Sequence, residues 1–283
     1  MKIHHLNCGT DCPLGGALFD GRSIGLTGRL VCHCLLIETD AHGLVLVDTG
    51  YGLRDVDHPH RQPNPRITCA MRAMLNIKLR AQDTAIRQIE ALGFRAGDVR
   101  HIVLTHLDFD HAGGLEDFPQ AMVHVLEKEW SAATGPRPGF VLRNRYRPSQ
   151  FDDVRNWRRY GSLGEAWFGF DSVRDLEGLP PEILLVPLPG HTWGHAGVAI
   201  QRPEGWLLHA GDAYFYREEV RTPRRRCTPG LRGYQTMMEV SREQRLANQQ
   251  RVRDLSIAHR RDVRVLCAHD PVEFERAAAG DLL

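Results

Sequence analysis

The sequence THLDFDHAGG, residues 105–114, places four side chains that can bind metals within six positions. It follows an apolar run at 101–104, HIVL, which predicts a short buried strand. A buried group of carboxylates is costly without a cation, because each carboxylate loses its hydration. The stretch therefore predicts a metal site at the end of a strand, with these candidate ligands: His106, Asp108, Asp110 and His111.

Three further predicted strands lead into the same types of residue. The strands at 183–188, 206–210 and 263–266 are followed by His191, Asp212 and His269, respectively. Strand ends at one edge of a sheet converge, so side chains that are distant in sequence can meet there. Seven candidate ligands suit two metal ions with three terminal ligands each and one shared carboxylate. Any one of these histidines alone would be interpreted as a core or loop residue; the set is what predicts a metal centre.

The remaining pattern predicts a mixture of strands and helices. Strands are predicted at 2–8, 31–38 and 43–47. A helix is predicted at 83–92 with Asp83 as its N-cap, and another at 241–259.

Two stretches lack a periodic pattern. In the loop at 55–66, His58 and His60 are interpreted as solvated residues rather than ligands. Residues 133–182 are rich in arginine and aromatic residues, and we expect a cap or insertion there; an interface and a surface excursion are the alternatives.

Composition limits the possible partners and location. The chain is 42% hydrophobic and 25% charged with a net charge of +1, so charge does not favour nucleic acid or an acidic membrane. No signal peptide or membrane span is predicted. The seven cysteines are scattered, and Cys32 and Cys34 alternate in an apolar run as buried thiols would. We expect a cytoplasmic monomer or homodimer that acts on a small molecule.

The order of these motifs resembles that of the metallo-β-lactamase superfamily. The resemblance runs from Asp48-Thr49-Gly50 through the 106–111 motif and GHTWGH at 190–195 to His269. It implies an α/β fold, an αββα four-layer sandwich of two mixed β-sheets flanked by helices. Residues 1–283 would form one domain, with 133–182 as the cap or insertion.

The resemblance also implies a role for each candidate ligand. Metal 1 would be held by His106, Asp108 and His191, and metal 2 by Asp110, His111 and His269, with Asp212 as the bridge. Asp48 and His195 would orient the ligands from behind. The implied cofactors are two divalent ions, with zinc expected first.

Asp108 departs from the family, because most hydrolytic members have His at this position. It is interpreted as a ligand, and the alternative is a cap for a helix that begins near Asp110. A third carboxylate shifts the relative preference of the site towards iron or manganese. If Asp108 is a poor ligand, Asp108→His is expected to raise the occupancy of metal 1.

The implied activity is hydrolysis, in which a metal-bound hydroxide attacks the carbonyl of a lactone, thioester or amide. Asp110 would also orient the nucleophile and pass its proton to the leaving group. An iron-dependent oxidoreductase on the same fold is the alternative, and a metal-free binding protein is a further one.

The motif at 105–114 looks like that of N-acyl homoserine lactonases, which place a catalytic Tyr three residues beyond the bridging Asp. Phe215 occupies that position here, between Tyr214 and Tyr216. Tyr214 is the candidate for the catalytic phenol, and a buried packing role is its alternative. Glyoxalase-like thioester hydrolysis competes with the lactonase interpretation, but no C-terminal substrate-binding helices are evident after His269.

Overall fold

A computed structural model describes residues 1–57, 67–137, 139–146, 151, 153–161 and 164–281. His58 and His60, which we interpreted as solvated loop residues, lie outside the described residues.

The first sheet has six strands that lie side by side in chain order. They are β1 (Lys2–Asp11), β2 (Leu30–Glu38), β3 (Leu44–Val47), β4 (Val99–Val103), β5 (Met122–Leu126) and β6 (Trp157–Tyr160). The first three are antiparallel, and β3 to β6 are parallel. Parallel strands β3 and β4 end at the same edge, which brings the segments after them together.

The second sheet has six strands in the spatial order β12-β11-β10-β9-β8-β7. They are β7 (Glu165–Trp167), β8 (Phe170–Asp175), β9 (Ile183–Pro187), β10 (Ala196–Arg202), β11 (Gly205–His209) and β12 (Val263–Leu266). The pair β11 and β12 is parallel and the other pairs are antiparallel. Both sheets are therefore mixed, as the family resemblance implies.

Ten helices of the described residues flank the sheets. They are α1 (Ala17–Asp20), α2 (Leu53–Asp57), α3 (Cys69–Leu75), α4 (Ala85–Ala91), α5 (Phe109–Ala112), α6 (Glu127–Thr134), α7 (Gly139–Arg145), α8 (Pro229–Met238), α9 (Arg242–Ala258) and α10 (Pro271–Ala278). In the part of the chain that the structure describes, we find no helix with the length and apolar character that a bilayer crossing needs.

Alternating side chains show how the layers stack. On β2, Leu35 and Ile37 belong to the core between the two sheets, whereas Cys34 and Leu36 pack on the opposite face with Ile89 of α4. The outer face of the second sheet packs in the same way against α9. Helices therefore cover both outer faces, and the predicted four-layer αββα sandwich is confirmed.

Helix boundaries depended on local hydrogen bonds. The predicted helix at 241–259 is confirmed as α9, and the Ser241 side chain caps it by accepting a bond from the Gln244 backbone nitrogen at 3.3 Å. The prediction of Asp83 as an N-cap is wrong. Residues 81–83 form a 3-10 turn and α4 begins after Thr84, whose hydroxyl donates to the Ala81 carbonyl at 2.7 Å.

The described part of 133–182 extends both sheets. It contributes α7, places β6 on the edge of the first sheet, and places β7 and β8 on the edge of the second. Arg158 and Arg159 of β6 are therefore attached to the sandwich by backbone pairing, whereas Arg143 and Arg145 lie on α7.

Buried histidines link β4, β5 and β6. The Tyr160 hydroxyl accepts a bond from the Glu177 backbone nitrogen at 2.9 Å and lies 2.7 Å from Nδ1 of His124. Nε2 of His124 lies 2.9 Å from Nδ1 of His101. Burial, and then the neighbouring His101 and Arg158, lower the pKa of His124 from 6.5 to about 3. His124 is therefore neutral in the folded protein.

We predict that His124 makes the fold sensitive to acid. Its folded pKa lies below the unfolded value, so its contribution is present above pH 6.5 and is lost as the pH falls towards 3. His124→Gln should flatten the dependence of the unfolding free energy on pH by about 1.4 kcal/mol per pH unit. Urea unfolding at matched metal content between about pH 4 and pH 7 measures this. His259→Gln, at a side chain with 44% exposure, is the control, and an unchanged slope in His124→Gln would contradict the prediction.

Candidate metal centre

The seven predicted ligands lie together at one edge of the sandwich. His106 follows β4, α5 carries Asp110 and His111, and the other three strand-end ligands follow β9, β11 and β12. All seven are buried, and the most exposed of them, Asp110, has 8% exposure. The structure therefore brings together every ligand that the sequence predicted.

Asp212 lies between two halves of this cluster. The first half contains His106, Asp108 and His191, and the second half contains Asp110, His111 and His269. Its Oδ2 is 3.3 Å from Nε2 of His191 and 3.8 Å from Nε2 of His106. Its Oδ1 is 3.4 Å from Nε2 of His111 and 3.1 Å from Nε2 of His269. Each oxygen of this carboxylate thus faces a different pair of imidazoles.

Asp108 completes the first half. Its Oδ2 lies 3.4 Å from Nε2 of His106 and 3.2 Å from Nε2 of His191. Asp108 occupies the N-cap position of α5, but its side chain makes no capping hydrogen bond. The alternative interpretation, that Asp108 serves only to cap this helix, is therefore wrong.

The second half contains Asp110, His111 and His269. Oδ2 of Asp110 is 3.9 Å from Nε2 of His111 and 3.6 Å from Nε2 of His269, and these two nitrogens are 3.3 Å apart. Cys32 lies beside them: its sulfur and one ligand atom each of Asp110 and His269 lie within 4.8 Å of one another. The prediction that Cys32 and Cys34 are buried thiols is confirmed.

The donor atoms fit divalent cations. Nε2 of His106 and Oδ1 of Asp212 are buried and have no hydrogen-bond partner among the described residues. Leaving such atoms without a partner costs about 1–3 kcal/mol each. Imidazole nitrogens and carboxylate oxygens that face one small volume are the ligand set of zinc and related metals, so binding a cation would satisfy them.

The two halves differ in charge. Burial alone would lower the pKa of His269, but the charges of Asp212 and Asp110 outweigh it and raise the pKa to about 9. In the first half, burial and the nearby Arg145 lower the pKa of His191 to about 4. The second half is therefore the more strongly anionic environment.

Asp48 and His195 lie behind the candidate ligands and form hydrogen bonds to them or to their backbone. Asp48 accepts a bond from Nδ1 of His111 and one from the Thr105 backbone nitrogen, both at 2.8 Å. Its left-handed backbone, with φ of 55°, is uncommon for a residue other than glycine. His195 accepts a bond from the Asp212 backbone nitrogen at 2.8 Å and donates from Nδ1 to the Leu188 carbonyl at 2.9 Å. These bonds fix the orientation of one imidazole and of the bridging segment.

Glu129 of α6 joins two ligand loops and was missed in the sequence. Its carboxylate accepts bonds from the Leu107 backbone nitrogen at 3.0 Å and the Gly194 backbone nitrogen at 3.1 Å. It also accepts a bond from the Tyr146 hydroxyl at 3.1 Å. Gly194 has no space for a side chain, because a Cβ there would overlap the Glu129 backbone. An acidic residue in the first turn of a helix is usually interpreted as a surface residue, so nothing in the sequence marked Glu129.

The prediction of Tyr214 as the catalytic phenol is wrong. Its hydroxyl donates to Oε2 of Glu273 at 2.9 Å, and its ring lies in the core beneath α9. The next residue, Phe215, faces the ligands instead, with its ring stacked on His269 at a centroid distance of 4.9 Å. Adjacent residues in this segment point to opposite sides, so only one of them can contact the cluster.

Tyr234 of α8 is a second tyrosine that lies close enough to the cluster for its carboxylates to affect its pKa. Its ring packs edge-on against Phe215 with centroids 5.7 Å apart. Burial, and then the charges of Asp110, Asp108, Asp11 and Asp212, raise its pKa well above the usual value. Carboxylates of both halves thus act on this one phenol. Sequence alone did not suggest it, because Tyr234 lies 22 positions after Asp212.

Comparisons with known proteins agree with this geometry. The family profile of the metallo-β-lactamase superfamily matches residues 27–258. A probable metallo-hydrolase of Mycobacterium tuberculosis is 41% identical over 277 residues, which cover 98% of this chain and 83% of that protein. An N-acyl homoserine lactonase of Bacillus cereus is 27% identical over 216 residues, which cover 73% and 75% of the two chains.

A solved structure shares the fold. It is an N-acyl homoserine lactone hydrolase with the product N-hexanoyl-L-homoserine bound at its catalytic metal centre. It matches 97% of this chain and 95% of its own with a TM-score of 0.69 and 19% identity. With the sandwich, the ordered ligand motifs and these relatives, the chain belongs to the metallo-β-lactamase superfamily and is a metallo-hydrolase that resembles the N-acyl homoserine lactonases.

Proposed function

We propose that the chain is a dinuclear metal-dependent hydrolase that opens a lactone of a small molecule. The observation that carries the proposal is the position of Asp212, whose two oxygens each face a separate pair of imidazoles. A mononuclear centre would leave one of these pairs buried and unsatisfied.

The proposed ligands divide as the family resemblance implies. Metal 1 would be held by His106, Asp108 and His191, metal 2 by Asp110, His111 and His269, with Asp212 shared. Divalent cations held there would supply Lewis acidity, which polarises a carbonyl and lowers the pKa of a coordinated water. Zinc is the proposed metal.

Asp110 is proposed to move the proton. It is the most exposed of the seven ligands, so its carboxylate is the one best placed to meet substrate. We assign it the orientation of the attacking water and the delivery of the proton to the departing alkoxide.

Tyr234 is proposed to donate a hydrogen bond to the substrate. Its ring is partly exposed and packs on Phe215, which itself stacks on the ligand His269. Its hydroxyl has no hydrogen-bond partner among the residues that the structure describes, so it is available to a substrate oxygen. This assignment takes the place of the one made for Tyr214.

A lactone is the proposed substrate class because the lactonase of Bacillus cereus is similar in sequence and the product-bound lactone hydrolase shares the fold. Thioesters and β-lactams are the competing classes, and a panel of all three distinguishes them. We further propose a cytoplasmic location, which the seven free cysteines support.

We predict two zinc ions per chain in protein purified without chelator, and their loss in Asp212→Ala. The substitution removes the carboxylate that faces both halves, so both sites should weaken and hydrolysis should fall below detection. Metal analysis by mass spectrometry after dialysis measures the content. Asp262→Ala, at a side chain with 65% exposure, is the control and should keep both ions.

Other metal contents would change the assignment. Two iron ions with redox-sensitive absorbance would favour an oxidoreductase. A wild-type chain that takes up no metal would contradict the proposed function.

We predict that Tyr234→Phe lowers kcat/KM for a lactone by about 100-fold or more, the usual effect of removing one donor to a developing oxyanion. Metal content should stay at the wild-type value, because the phenol is not assigned as a ligand. Tyr214→Phe is the matched control. It should lower stability through the lost bond to Glu273 and leave kcat/KM unchanged. Equal activity of Tyr234→Phe and wild type would contradict the role of this phenol.

A further inference from the structure

Arg145, at the end of α7, is buried beside the metal ligands with 1% exposure. Arginine is rarely buried to this extent unless it is paired. Its Nη1 donates to the His191 carbonyl at 2.7 Å and its Nη2 to the Met238 carbonyl at 2.5 Å. The guanidinium therefore binds the loop after β9 and the end of α8 at once.

The remaining edge of this guanidinium faces Asp108. Nε of Arg145 lies 3.2 Å from Oδ1 of Asp108, an ion-pair contact in which neither atom makes a hydrogen bond within the described residues. Oδ2 of the same carboxylate faces His106 and His191. One oxygen of the carboxylate thus faces the arginine, and the other faces the imidazoles of the first half. Arg145 also contributes the strongest of the charges that hold the pKa of Asp108 well below its usual range against burial.

The pair has the same net charge as a neutral imidazole. A carboxylate and a guanidinium sum to zero, so the pair gives the first half an oxygen donor without adding a net negative charge. Within the described residues, Asp108 is the only anion that we find in an ion pair with Arg145. A histidine at position 108 would leave the buried guanidinium without that partner.

We propose that Arg145 is a positioning residue that fixes Asp108 as the third ligand of metal 1, and that the Asp108–Arg145 pair replaces a neutral imidazole there. The inference rests on the proposed dinuclear centre. Because Asp108 is paired with Arg145, the first half carries less net negative charge than the second, so metal 1 is bound more weakly than metal 2. The pair also shifts the relative preference of metal 1 from zinc towards manganese or iron.

This pairing changes the expectation for Asp108→His. From the sequence, a better ligand at position 108 is expected to raise the occupancy of metal 1. In the structure, the new imidazole would face an unpaired buried cation. Asp108→His alone is therefore expected to lower the occupancy, and the double variant Asp108→His with Arg145→Met is expected to restore it.

The test is a titration of metal-free protein with Zn²⁺ and, separately, Mn²⁺ in the presence of a competing chelator. Arg145→Met should weaken the weaker of the two binding steps by about 10–100-fold, the usual effect of removing a partner of a metal ligand. The stronger step should not change. Arg143→Met, on the exposed side of the same helix, is the matched control and should bind both ions like wild type.

The double variant gives the sharper test, because a role in folding alone would not predict rescue. Two restored binding steps, with a raised ratio of zinc to manganese affinity at the weaker step, would support the inference. A double variant that binds no better than Asp108→His would overturn it, as would Arg145→Met with wild-type affinity at both steps.

If Arg145→Met does not fold, Arg145→Lys keeps the charge but lacks the planar fork, and should weaken the same step by a smaller factor. Wild-type affinity in Arg145→Lys would then overturn the inference. A wild-type chain with only one binding step would overturn the dinuclear proposal itself and the inference with it.

Discussion

Ionisable side chains that are removed from water must be neutralised, and this constraint shapes one whole edge of the sandwich. Four carboxylates and five imidazoles, those of the candidate ligands and of Asp48 and His195 behind them, would otherwise carry a large desolvation cost. Hydrogen bonds satisfy only part of that need, since Nε2 of His106 and Oδ1 of Asp212 find no partner among the described residues. A pair of bound cations would offset the remaining desolvation cost.

The two sheets provide the rigidity that such a cluster requires. Ligands come from the ends of strands that are fixed by backbone pairing, and a few buried polar residues hold the loops between them. Asp48 orients His111, and His195 holds the backbone of Asp212. Glu129 ties to α6 the two loops that carry the candidate ligands of the first half. Because these bonds exist before any substrate binds, little reorganisation free energy is needed during the reaction.

The stretch at 133–182 reaches the candidate metal ligands through Arg145. It extends both sheets by edge strands, and its helix α7 delivers the Arg145 guanidinium to the back of Asp108. A surface rich in arginine would suggest an anion-binding face, yet the buried member of the set binds a carboxylate and two carbonyls of the protein itself. The same guanidinium contacts the end of α8, the helix that carries Tyr234, so the ligand cluster and this helix share a support.

From the sequence alone we could predict the strand-end pattern, the types of candidate ligand and their order, because backbone periodicity and metal chemistry depend on residues that lie close together along the chain. It determined the αββα class through the same motifs. It did not determine which tyrosine faces the cluster, whether Asp108 caps a helix or faces the imidazoles, or that Arg145 and Glu129 are buried against them. Those outcomes depend on the direction of individual side chains and on contacts between residues 37 or more positions apart, such as Asp108 with Arg145 and Glu129 with Gly194. Only the packing of the two sheets and their helices brings such residues together, and so only the tertiary structure decided them.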